Sequence, residues 1–139
     1  MIIKYIAAYI ATGVSFLLID SVWLKNAYEK LYKPEIGDML YEGGFRMGPA
    51  IAFYLLYILG IMIFAVGPAL NDGKWQTALL WGALLGFFCY MTYDMTSYAV
   101  LKQWSLKVTI LDMIWGTILT GGAALGGYWI TTWIFGKAV

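Results

Sequence analysis

The chain has 139 residues, of which 62% are hydrophobic and only 12% charged, whereas soluble domains run at about half apolar and about a quarter charged; this is a membrane composition. A net charge of +1 gives no reason to expect nucleic acid as a partner, and the absence of histidine excludes histidine-ligated haem, histidine zinc sites and histidine acid–base chemistry. A lone cysteine, Cys89, can form no internal disulfide, and neither a Gly-rich phosphate loop nor a metal-spaced cysteine pair occurs, so no cofactor is expected.

Lys4 opens an apolar run from Tyr5 to Ile19 that is long for a signal-peptide core. No small-residue cleavage site precedes a polar segment, so the run reads as a retained span. A spanning helix needs roughly 20 mostly apolar residues. Four segments reach that length: 5–24, 49–70, 75–101 and 108–135. Their apolar runs are continuous and too long for barrel strands, which alternate at period two. Pro49 suits a first helical turn, and Asn71-Asp72-Gly73 is a turn signal. The expected fold is all-α: an integral membrane protein with four transmembrane helices in one bundle and one domain, 1–139.

The connector KNAYEKLYKPEIGDMLYEGGFRMG has a pattern of its own. Leu24, Ala27, Tyr28, Leu31 and Tyr32 recur at helical spacing, with Lys25, Glu29, Lys30 and Lys33 between them. A short interfacial helix after the first span is expected, lying along the headgroups until Pro34 stops it. Its simplest role is that of a solvated amphipathic connector. Lys4, Lys74 and Lys137 fall on one side of the membrane, and Lys25, Lys30, Lys33, Arg46, Lys102 and Lys107 on the other. The positive-inside rule then predicts both termini on the outer side.

FLLIDSVWL, YDMTSYAV and VTILDMIWG each place an aspartate inside an apolar run. Counted from the nearest lysines at ~1.5 Å per residue, Asp20, Asp94 and Asp112 lie ~7, ~12 and ~7 Å inside the charged boundary of the same leaflet. Each ionised carboxylate there costs about 2.5–3.5 kcal/mol on insertion scales. Such groups persist if protonated, paired, bound to a cation or reached by water. Tyr54, Tyr57, Tyr90, Tyr93, Thr96, Ser97 and Thr109 offer hydroxyl donors at similar depth. The candidate ligand and proton site comprises Asp20, Tyr54, Tyr57, Tyr90, Tyr93, Asp94, Thr96, Asp112 and Trp115, with Arg46 for a phosphate or headgroup. A Mg²⁺ ion held by Asp20, Asp94 and Asp112 is a further option. Against a site, Asp20 and Asp112 stand close enough to an interface to act as helix-end residues. Trp23, Trp104 and Trp115 suit an interfacial aromatic belt, and the DxxW repeat is short.

Gly82 and Gly86 form one GxxxG and Gly122 and Gly126 another, both toward the outer half of their helices. If these faces meet, the third and fourth helices are close outside and splayed inside, which opens a wedge-shaped cavity above the aspartates. The rival expectation is a homodimer through the same four glycines.

FLLIDSVWL, FYLLYILGIMIFAV, YDMTSYAVLKQWS and VTILDMIWG together resemble a family of short four-helix bacterial membrane proteins known as a domain of unknown function. The resemblance spans nearly the whole chain. It implies a bacterial inner (cytoplasmic) membrane location and the positions Asp20, Trp23, Tyr54, Asp94, Thr96, Trp104, Asp112 and Trp115, but no activity and no catalytic residue. Three function classes follow, in order of preference. The first is a site that binds or carries a small molecule, ion or membrane lipid with proton coupling; the second is a Mg-dependent lipid-modifying enzyme; the third is an accessory subunit of a larger membrane complex.

Overall fold

The computed structural model describes residues 2–40 and 46–136. Among these residues every regular element is helical and no strand occurs. Helix α1 (Ile2–Ala27) runs into a π-helical turn (Tyr28–Tyr32), a short helix α2 (Lys33–Ile36) and a 3-10 turn (Gly37–Met39), together a rod of 38 residues. The second span is built of α3 (Met47–Ile61), a π-helical turn (Met62–Val66) and α4 (Gly67–Asp72). Helices α5 (Trp75–Val100) and α6 (Leu106–Phe135) complete four helices long and apolar enough to cross a membrane.

The ends of the elements follow from local chemistry. Pro49 sits in the first turn of α3, as expected. Gly73 closes α4 in the left-handed region at φ 72°, where a side chain would be strained. The Asp72 carboxylate then accepts from the Lys74 backbone N–H at 2.9 Å and from the Thr77 hydroxyl at 2.6 Å, which fixes the turn into α5. Ser105 caps α6 by accepting from the Val108 N–H at 3.2 Å.

Both π turns sit just ahead of a proline. Lys33 donates its backbone N–H to Tyr28 O, and Gly67 to Met62 O, one residue further back than in an α-helix. Pro34 and Pro68 follow immediately, and in a regular helix each ring would press on the carbonyl four residues earlier. The wider turn relieves that clash and lets the helix continue. Pro34 therefore does not stop the interfacial helix, which runs on to Ile36. The connector is also not a solvated element: Leu31 and Ile36 are buried, packed with Val108 and Ala27 against Trp23, Trp104 and Leu111.

Toward the end of the bundle that holds the Asn71–Gly73 turn, α1, α5 and α6 are closely packed. Tyr5 donates its hydroxyl to Asn71 Oδ1 at 3.1 Å, which joins the start of α1 to the end of α4. Helices α5 and α6 pack closest, and α1 lies against α6. A Cβ built on Gly82 would lie 2.7 Å from Ala124 Cβ and 3.0 Å from Thr120 O, so α5 and α6 meet backbone to backbone there. The second glycine pair faces elsewhere: Gly122 lies against Ile19 and Gly126 against Ser15, both of α1. Thus the two GxxxG faces do not meet each other; each supports a different intrachain contact. The splaying also differs from expectation. Tyr90 packs on Gly116 and the Asp94 carboxyl lies next to that of Asp112, so α5 and α6 stay together into their loop-end halves. Instead α3 stands off from them and approaches the core closely from Tyr57 onward.

Candidate ligand site at the loop end

Where α3 stands off, a cavity of about 360 Å³ opens between α1, α3, α5, α6 and the segment 28–40 that roofs it. Asp20 and Asp112 line it at 8% and 5% exposure, inside walls of Trp, Tyr and Phe. Lys and Arg are absent from its lining among the described residues. Arg46, the residue before α3, is exposed and does not line it.

The two carboxylates have separate partners. Tyr54 donates to Asp20 Oδ2 at 2.9 Å. The Trp115 ring stands beside Asp20, although its buried Nε1 meets no acceptor in hydrogen-bond geometry. Tyr32 donates to Asp112 Oδ1 from the roof, and Trp23 Nε1 in turn donates to the Tyr32 oxygen at 3.0 Å. The Trp23 and Trp115 rings stack at 4.6 Å and 10° between planes. A second fastening holds the roof: Ser105 Oγ donates to Glu35 Oε1 at 2.6 Å.

Asp94 lies behind the cavity, fully buried, with its carboxyl next to that of Asp112. Neither of its oxygens meets an N–H or O–H donor among the described residues. The hydroxyls adjacent in sequence do not serve it. Thr96 donates to the backbone carbonyls of Thr92 and Tyr93 on its own helix. Tyr93 is half exposed and sets its ring edge-on to Trp104, and Tyr57 pairs with Thr120 at 2.7 Å rather than with a carboxylate. Two neighbouring buried carboxyls hold together without a third partner when a single proton lies between them, one group donating and the other accepting.

Of the residues expected at the site, Asp20, Tyr54, Tyr90, Tyr93, Asp112 and Trp115 line the cavity. Asp94 backs it, and Tyr57 and Thr96 point elsewhere. The Mg²⁺ triad is not assembled: among the described residues no three His, Cys, Asp or Glu come together as a metal group. Sequence reasoning missed Tyr32 as a site residue, and named Trp23 only through the resemblance. A signal for Tyr32 was present in the helical spacing that puts it on the apolar flank of the connector, whereas the DxxW repeat gave no sign that the tryptophans cross over, Trp115 standing beside Asp20 and Trp23 reaching Asp112 through Tyr32.

The arrangement is an aromatic, carboxylate-bearing pocket inside a four-helix membrane protein. Residues 5–129 match the family described as predicted membrane protein (DUF2177), and the chain belongs to that family. No curated protein and no solved structure matches it.

Proposed function

We propose that this protein binds a small ligand inside the membrane, in the cavity beneath segment 28–40, and that binding is linked to a proton held between Asp94 and Asp112. The observation that carries the reading is the position of Asp112. It accepts from the roof through Tyr32, faces the cavity and abuts Asp94. A ligand group that engages Asp112 thus competes at once with the roof bond and with the shared proton. The same coupling serves a carrier or a membrane-lipid site. In this reading the cavity end faces the cytoplasm across a bacterial inner membrane and both termini face outward. Lys25, Lys30, Lys33, Arg46, Lys102 and Lys107 support that orientation against Lys4 and Lys74, while Lys137 lies outside the described residues.

Native mass spectrometry of the full chain, extracted without stripping lipid, tests occupancy. A bound small molecule retained by the wild type and lost from Asp112→Asn supports the reading; identical spectra for the two proteins overturn it. Infrared spectroscopy tests the proton. A carboxylic-acid C=O band lost in Asp94→Asn but kept in Asp20→Asn is expected, and a wild type without such a band removes the coupling.

A further inference from the structure

Two features of the cavity restrict its ligand. Its polar lining offers carboxylates and hydroxyls but no cationic side chain among the described residues, so an anionic headgroup would meet only like charge at its centre. Its walls present Trp and Tyr rings, whose negative faces attract a weakly hydrated cation. A neighbouring hollow of about 350 Å³ between α3 and α5 shares Phe53, Tyr90 and Tyr93 with the cavity and adds Tyr57 and Cys89. That hollow is apolar, and Phe53, Cys89 and Tyr93 are exposed on it, toward the position of lipid. An aromatic chamber bearing two carboxylates thus continues sideways into a hydrocarbon-facing annex.

We propose that the ligand is an amphiphilic alkylammonium: its cationic head sits between Asp20 and Asp112 against the aromatic walls, and its hydrocarbon chain lies in the annex between α3 and α5. The assignment rests on the ligand-binding reading above. The charge on the head compensates a carboxylate that Tyr54 or Tyr32 only partly satisfies, and the low-polarity surroundings strengthen both the ion pair and the cation–π contacts. Phe53 and Tyr93 stand at the junction of the two spaces, so a chain of moderate length passes between them without crossing the roof. Such a head is carried by free lipophilic amines and by the ammonium groups of ethanolamine or choline lipids.

Radiolabelled octyltrimethylammonium, titrated onto the full chain in phosphatidylglycerol nanodiscs, tests the class of ligand. Saturable binding above that of empty discs is expected, weakened about tenfold or more by Asp20→Asn and by Asp112→Asn. Octanesulfonate and octanol in equal excess are expected not to displace it. No saturable binding overturns the cation assignment. Displacement by the sulfonate or the alcohol as readily as by unlabelled ammonium also overturns it, and if the Asn variants still weaken binding the cavity remains the site. Undiminished binding in both variants removes the site itself. Competition on the wild type needs no variant to fold. Repeating the titration in phosphatidylethanolamine discs separates the sources. A weakened signal assigns the site to a lipid headgroup and an unchanged one to a free amphiphile, and both support the ammonium.

Discussion

The two halves of this bundle solve opposite problems with the same helices. At the turn end, Gly82, Ala124 and Gly121 bring α5 and α6 to backbone contact, and Ser15 sits against Gly126. Small residues leave no space between α1, α5 and α6, so stability there comes from close van der Waals packing where lipid offers no hydrophobic drive between helices. At the loop end the residues are Tyr, Trp and Asp, α3 stands off, and a cavity remains. The aromatic walls of that cavity are positioned by directed hydrogen bonds, Tyr54 to Asp20 and Trp23 to Tyr32 to Asp112, instead of by filling. The difference teaches that close helix packing in one half accompanies an unfilled, carboxylate-bearing aromatic chamber in the other.

Substitutions that insert a side chain into the dense half should have the largest effect. Gly82→Leu forces α5 from α6 against Ala124 and the Thr120 carbonyl, at a cost of about 3 kcal/mol or more, read as loss of folded protein or a large fall in detergent melting temperature. A melting temperature equal to wild type would show that the close approach is not made.

Next comes the buried carboxyl pair. Asp94→Leu leaves Asp112 without its neighbour and is expected to cost about 2 kcal/mol, while Asp94→Asn, whose amide can donate to Asp112, stays within about 1 kcal/mol of wild type by the same melting assay. Equal losses in the two variants would mean that shape rather than hydrogen bonding matters there.

Tyr32→Phe removes the donor to Asp112 and the acceptor for Trp23, for about 1–2 kcal/mol, but its sharper signature is local. Hydrogen exchange should rise over residues 28–40 and stay unchanged in α5 and α6. Exchange that rises everywhere would show that the roof is integral to the bundle rather than fastened upon it.

Two small effects complete the contrast. Gly122→Ala places its Cβ 3.3 Å from Ile19 Cδ1, the mobile tip of a side chain, and should shift stability by less than about 1 kcal/mol. The Glu29–Lys33 pair, at 3.5 Å with side chains 66% and 56% exposed, should be worth less than about 0.5 kcal/mol, so Lys33→Ala melts as wild type does.

The four spans were legible because apolar length is a one-dimensional property, read directly from the run of residues. That the three aspartates fall at the same end of the bundle was legible for the same reason. Which groups they meet was not. Depth says nothing of rotation about the helix axis, so Thr96, two residues from Asp94, bonds its own backbone, while Tyr32, eighty positions from Asp112, bonds it directly. The roof was misjudged because an amphipathic pattern states that one face is apolar and not whether lipid or protein covers it. The prolines misled in a related way. A π turn requires no particular residue, so the device that carries the helix past Pro34 leaves no mark in the composition.

That continuity has a mechanical consequence. The roof continues helically from the end of α1, with no loop between them, and α1 itself reaches roughly 39 Å across the bundle. A lid on a loop can flap while its protein stands still, but this one is the short arm of a lever. Its short arm is fastened to Asp112 through Tyr32, and the far end of its long arm to Asn71 through Tyr5. The hydrogen bonds of Tyr32 and Tyr5 therefore tie one continuous helical rod to its neighbours near both of its ends.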